Sequence, residues 1–107
     1  MTDESHAFYM HVGDTRPYVR EALLDENDAP INLTGAGVVF SLEGANVISG
    51  TAAAIIDAVD GLVEYRWTVG DIDSAGLSYR RWYVTLSDAT VFHVPNFGRG
   101  YPVIAVN

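Results

Sequence analysis

The chain has 107 residues, of which 49% are hydrophobic and 11% aromatic, and this predicts one folded domain over residues 1–107. Fourteen acidic residues against six arginines and no lysine give a net charge of −8, which argues against nucleic acid or an anionic membrane as a partner. The absence of cysteine excludes disulfides and thiolate sites, and an acidic start without any long apolar run predicts neither a secretory leader nor a membrane span.

Alternation of apolar and polar residues predicts a series of strands in the first half of the chain. The predicted strands are 8–12, 18–24, 38–43 and 47–56, with an extended entry at 31–35. The polar cluster Asp25–Pro30 is typical of a turn. The stretch 47–56 is apolar but contains Gly50 and three consecutive alanines. The alanine run also suits a helix, but we interpret the stretch as a strand from its length.

In the second half of the chain, turn residues separate the predicted strands more clearly. Asp60-Gly61 predicts a tight hairpin turn before a strand over 62–68, with Val63, Tyr65 and Trp67 inward. Further strands are predicted at 77–86, 90–94 and 101–106, with Trp82, Val84 and Leu86 inward in the first of them. About seven strands at short spacing predict a two-sheet β-sandwich, with a core that contains Phe40, Tyr65, Trp67, Trp82 and Val84.

Three patterns resemble catalytic, metal or modification sites, and each has a simpler interpretation. Asp71–Gly76 matches part of a calcium loop, but Trp82 occupies the position of the bidentate glutamate, so a polar turn is expected. The histidines at 6, 11 and 93 have no ligand-like spacing. Asn32-Leu-Thr34 is a glycosylation sequon that we expect to shape a turn.

Catalytic motifs are not found in the sequence. It contains neither a G-x-S-x-G nucleophile elbow nor a phosphate loop that ends in lysine. Carboxylate pairs such as Glu21 and Asp25 are interpreted as part of a solvated acidic face. We therefore expect no enzymatic activity, no cofactor and no metal.

Protein contact is the activity that the pattern favours. Alternation places Tyr79, Arg81 and Tyr83 in an outward row, and tyrosine and arginine are the residues that anchor interfaces. Ordinary cross-strand packing is an equally good interpretation of this row. The terminal strands, marked by Pro17 and by an apolar C-terminal run, are predicted to be open edges that invite pairing. The residues of that run are Val103, Ile104, Ala105 and Val106.

A series of short motifs resembles the N-terminal domain of the phage baseplate upper protein. In its first half the series is Gly13-Asp-Thr15, Pro17, Asp25, Pro30, Asn32-Leu-Thr-Gly35 and Val39-Phe40. In its second half it is Asp60-Gly61, Val63-Glu-Tyr65-Arg-Trp67, Asp71, Gly76, Tyr79, Trp82 and Val94-Pro-Asn96. The resemblance covers most of the chain and implies an immunoglobulin-like, antiparallel β-sandwich of about seven strands.

The same resemblance implies a function. Members of this family are attachment modules of tailed-virus particles and carry no catalytic residues. The expected role is that of a virion structural protein of the tail or baseplate of a bacteriophage, which binds other virion proteins in a symmetric homo-oligomeric assembly. The alternatives are a capsid decoration or head-fibre protein, and a carbohydrate-binding module for host recognition.

Overall fold

The computed structural model describes residues 7–25, 27–95, 98 and 100–107, so His6 and Asn96 lie outside the described residues. The described residues form nine strands and no helix. The strands are β1 (Phe8–His11), β2 (Val19–Ala22), β3 (Gly37–Gly44), β4 (Ile48–Ala52), β5 (Ala54–Asp57), β6 (Leu62–Tyr65), β7 (Gly76–Thr85), β8 (Val91–Val94) and β9 (Tyr101–Val106). Within this part of the chain no helix is present that could cross a membrane.

The strands form two sheets. The larger has the order β1-β9-β7-β3-β4, and β8 joins it by pairing with the half of β7 that β9 leaves open. The smaller has the order β2-β6-β5. The second, fifth and sixth strands thus form one sheet, and the first, third, fourth, seventh, eighth and ninth form the other. This connectivity is immunoglobulin-like. The predicted all-β, immunoglobulin-like sandwich is therefore confirmed.

Two details differ from the prediction. The stretch 47–56 is extended as expected, but it forms two strands, β4 and β5, which belong to different sheets. The chain passes from one sheet to the other at Ala53, whose N–H donates a hydrogen bond to the carbonyl of Val38. This crossing divides one predicted strand into two, and the described residues form nine strands in place of the expected number of about seven. The sandwich is also not wholly antiparallel, since β1 lies parallel to β9.

The predicted hairpin at Asp60-Gly61 joins β5 and β6. Gly61 has a φ of +67°, and a Cβ there would lie 2.7 Å from the carbonyl oxygen of Ile31. A residue without a side chain is therefore required for two reasons, the left-handed backbone and the close approach of the neighbouring chain. The turn is thereby held against the segment that follows β2.

The predicted core is confirmed, and its centre is aromatic. Phe40 is fully buried and stacks on Tyr65, with ring centroids 4.2 Å apart. Trp67 and Trp82 meet Phe40 edge to face, at centroid distances of 5.7 and 4.9 Å. Such pairs stabilise a core beyond the area they bury. Val84 is also completely buried.

Candidate interaction surfaces

The row of Tyr79, Arg81 and Tyr83 lies on the solvent side of the larger sheet, on the face that alternation predicted. All three residues are half-buried and pair in register with residues of β3. The ring of Tyr83 also contacts that of His93 on β8, at a centroid distance of 4.9 Å. The Arg81 guanidinium donates a hydrogen bond to the carbonyl of Gly98. Cross-strand packing therefore accounts for part of this row and holds its side chains in place.

Exposed apolar residues extend this row across the sheet. Tyr9, Leu77, Val91 and Val106 are exposed by 67%, 46%, 51% and 45%. Ile104 links two of them, because Tyr9 and Leu77 are its register partners on either side. We call the solvent side of the larger sheet, with these residues and the tyrosine row, the outer face. Extended apolar faces of this kind mark protein-contact sites.

The C-terminal strand is not an open edge, which corrects the sequence prediction. β9 lies between β1 and β7, so its backbone pairs on both sides. Val103 and Ala105 point into the core with 1% and 3% exposure, whereas Ile104 and Val106 belong to the outer face. The prediction is wrong for β9 because the parallel pairing of β1 moves the edge of the sheet to the N-terminal strand.

Pro17 lies just before β2, which is an edge strand of the smaller sheet. The residue is exposed, and its carbonyl accepts a hydrogen bond of 3.1 Å from Nε1 of Trp67. Pro17 thus links the entry of β2 to the aromatic core. Of the predicted terminal edges, the one beside Pro17 is an edge in the structure.

A groove of about 770 Å³ opens between the two sheets, on the side where β2 faces β8. Its walls combine acidic and aromatic residues, among them Glu21, Asp25, Asp28, Phe92 and Tyr101. At its base, Oε1 of Glu21 accepts hydrogen bonds from Nε of Arg80 at 2.7 Å and from Nε1 of Trp82 at 2.8 Å. The guanidinium of Arg80 also donates to the carbonyl of Pro102 and lies over the Tyr101 ring.

This buried ion pair is not predicted by the sequence pattern. The prediction that Glu21 belongs to a solvated acidic face is wrong, because its side chain is only 13% exposed and that of Arg80 only 4%. The sequence does contain one signal for the burial of Arg80. This arginine is two residues from Trp82 on the same strand, so both side chains point to the same face of the sheet. Nothing local in the sequence indicated that Glu21 is its partner, because 59 residues separate them.

A second cluster lies on the solvent side of the smaller sheet. Glu64 accepts from Arg20 at 2.6 Å and from Arg66 at 2.9 Å. Glu64 itself is 2% exposed, whereas the two arginine side chains are 56% and 66% exposed and shield it. The hydrogen bond from Arg66, followed by that from Arg20, lowers the pKa of the Glu64 carboxyl below its ordinary value of 4.5.

Arginines also flank an aromatic ring at this place. Arg16 and Arg66 each lie over the ring of Tyr18, with Cζ atoms 5.2 and 5.1 Å from its centroid. We call Arg16, Tyr18, Arg20 and Arg66, with Glu64 beneath them, the arginine patch. With three arginines and one glutamate, it carries an excess of two positive charges.

The calcium-like loop is the polar turn that we expected. Oδ2 of Asp71 accepts hydrogen bonds from the Tyr65 hydroxyl at 2.7 Å and from the backbone of Thr68 at 2.8 Å. Burial, followed by the hydrogen bond to Asp71, raises the pKa of Tyr65. Within the described part of the chain, no group of three His, Asp or Glu side chains is arranged to hold a metal ion.

The sequon also shapes a turn as predicted. Oδ1 of Asn32 accepts hydrogen bonds from the backbone N–H of Thr34 at 3.0 Å and from its hydroxyl at 2.7 Å. This is a side-chain mimic of a backbone turn.

Comparison of the chain with protein-family models, with curated proteins and with solved structures finds no match.

Proposed function

We propose that this protein is a structural component of a tailed-virus particle, in its tail or baseplate, and that it acts by binding other virion proteins through the outer face. One observation carries the proposal: the outer face has an exposed apolar residue at each of four positions around the row of Tyr79, Arg81 and Tyr83, which cross-strand packing against β3 holds in place. The four exposed residues are Tyr9, Leu77, Val91 and Val106. A stable contact needs such an apolar centre with aromatic anchors. The sequence resemblance to a phage attachment domain supports the choice of particle.

The experiment compares two variants of matched chemistry during particle assembly. Leu77→Glu introduces a charge into the outer face, where the side chain is 46% exposed. Val69→Glu makes the same change at a residue that is 94% exposed in the loop between β6 and β7. We expect the first variant to be lost from purified particles and the second to be incorporated as wild type is.

A reconstruction of the native particle provides the second measurement. The outer face should lie in a contact that buries about 1,200–2,000 Å² in total. Its position on the particle would separate a tail or baseplate component from a capsid decoration or head-fibre protein. If the protein is missing from particles, or if both glutamate variants are incorporated equally, the proposal is wrong.

The groove supports one alternative function. Tyr101 and Phe92 offer aromatic rings, and Asp25 and Asp28 offer polar groups beside them. Carbohydrate-binding sites combine these two features, so a host-recognition module is the second candidate. Binding on a glycan array that is weakened by Asp28→Asn and not by Leu77→Glu would favour it.

A further inference from the structure

The arginine patch is exceptional within a strongly acidic molecule. Five arginines are described, and three of them belong to the patch, although the chain as a whole carries −8. Arg20 and Glu64 are register partners on β2 and β6, so pairing of the two strands assembles the patch from distant parts of the chain. The contact with Tyr18 holds two guanidiniums in place while their N–H groups remain able to meet a planar carboxylate.

The patch has more positive charge than its own residues neutralise. Glu64 is the only carboxylate among the described residues that lies within ion-pair distance of Arg20 or Arg66, and Arg16 has none. Asp71 accepts hydrogen bonds from Tyr65 and Thr68, and it forms no ion pair within 4 Å with the arginines of the patch. Like charges that are held close together favour a bound anion.

The opposite end of the same strand pair is acidic. Asp57 is the last residue of β5 and Asp60 lies on the turn to β6, while Asp25 and Asp28 lie on the turn after β2. The two turns are adjacent, because the N–H of Leu23 donates to the carbonyl of Gly61. We call them the acidic turns. In the described residues, none of their carboxylates forms an ion pair within 4 Å.

The two surfaces are complementary in apolar character as well as in charge. In the arginine patch, half-buried Tyr18 lies among guanidiniums. On the acidic turns, Val59 is 66% exposed and lies between Asp57 and Asp60 in the chain. An aromatic ring flanked by positive charges thus matches an aliphatic side chain flanked by negative ones.

We propose that a second copy of this chain binds the arginine patch through its acidic turns. Because the two surfaces differ and lie at opposite ends of one sheet, the contact is head-to-tail, and repeated head-to-tail contacts produce rings or filaments. Net repulsion between copies opposes other approaches and leaves this patch as the place where carboxylates are attracted. This inference rests on the proposed role in a symmetric assembly, and it names a contact between copies that is separate from the outer face.

Charge reversal with sedimentation velocity tests the contact. The salt concentration is about 0.15 M, at which net repulsion is screened beyond ~8 Å, and protein concentrations extend to ~1 mM to detect weak association. Wild type should form oligomers. Arg16→Glu and Asp60→Arg should each raise the dissociation constant at least about tenfold. Arg16→Gln should act in the same direction by less, and melting curves establish that each variant is folded.

Mixing the two reversed variants is the decisive arm. In the mixture, Glu at position 16 of one chain meets Arg at position 60 of the other, so association should return to within about threefold of wild type. Val47→Glu lowers the net charge by one unit, as Arg16→Gln does, at a residue that is 67% exposed between β3 and β4, and it should leave self-association unchanged.

Several outcomes would overturn the proposal. They are a wild-type protein that stays monomeric, an unchanged association of Arg16→Glu, and a mixture that does not recover. A loss of association in Val47→Glu as large as that in Arg16→Gln would also contradict it, and would assign the effect to net charge. The incorporation of Leu77→Glu into particles is measured separately, so the proposed function can fail or stand independently of this result.

Discussion

A single carboxylate oxygen of Glu21 accepts hydrogen bonds from two buried side chains, Arg80 and Trp82. The first of these donors is a positively charged guanidinium. Removal of the carboxylate would leave a guanidinium with 4% exposure without its counter-charge. A buried ion pair adds little net stability compared with a well-packed apolar core, but loss of one partner is strongly destabilising. The pair therefore makes the position intolerant of change.

Glu21→Ala should lower the free energy of unfolding by roughly 3–5 kcal/mol, because Arg80 then stays buried and unpaired. Glu21→Gln retains an acceptor for Arg80 and Trp82 and should be less destabilising. Urea denaturation of the two variants and wild type measures both values. An alanine variant as stable as wild type would show that water replaces the carboxylate in the groove.

Glu64 provides a pH dependence with a defined sign. Its pKa is lowered in the folded state, so its contribution to stability is present above its ordinary value of 4.5 and is lost as pH falls through the folded value. We expect the melting temperature of wild type to exceed that of Glu64→Gln near neutral pH. The difference should shrink as the pH falls below about 4.5. Two parallel curves would contradict this assignment.

At the scale of elements, the β5–β6 hairpin depends on a close approach that only glycine permits. A side chain at Gly61 would meet the carbonyl oxygens of Ile31 and Leu23 at 2.7 and 2.8 Å. Gly13 also has a positive φ, of +91°, but no atom lies within 4 Å of the corresponding position. The two glycines therefore separate backbone strain from a steric clash.

Gly13→Ala should lower the free energy of unfolding by about 1–2 kcal/mol, which is the strain of a left-handed backbone alone. Gly61→Ala should lower it by roughly 2–5 kcal/mol, because overpacking against the neighbouring backbone is added. Thermal or chemical denaturation checks the order of the two. Equal effects would show that the segment around Ile31 moves aside without loss of stability.

At the scale of the whole molecule, net charge is the dominant electrostatic property. The molecule measures 41 × 31 × 20 Å, and the Debye length falls from about 30 Å at 0.01 M salt to about 3 Å at 1 M. In dilute buffer the carboxylates therefore repel one another across most of the fold. In molar salt, only neighbouring groups interact.

The melting temperature should therefore be higher in 1 M than in 0.01 M sodium chloride, because self-repulsion weakens the compact state at low salt. The control is the same pair of measurements at pH 4.5, near the isoelectric point, where net repulsion vanishes. The increase should be much smaller there. An equal increase at both pH values would assign the effect to the salt itself and not to charge screening.

Local pattern was sufficient for the class of fold and for most strand faces. Alternation placed Val63, Tyr65 and Trp67 inward and Tyr79 and Tyr83 outward, because successive side chains of a strand point to opposite sides of a sheet. The turn at Asp60-Gly61 followed from its backbone requirement. These features depend on residues that are neighbours in the chain.

Tertiary structure alone decided which charges meet and which strands form edges. Arg80 and Glu21 are 59 residues apart, and Arg20 and Glu64 are 44 apart, so each pair depends on how strands align and sheets pack. The position of β9 in the sheet is also a tertiary property, because the parallel strand β1 pairs with it and forms the edge in its place. Alternation specifies the face of a side chain, but its partner across a sheet or between sheets is set by register and packing, which distant segments determine together.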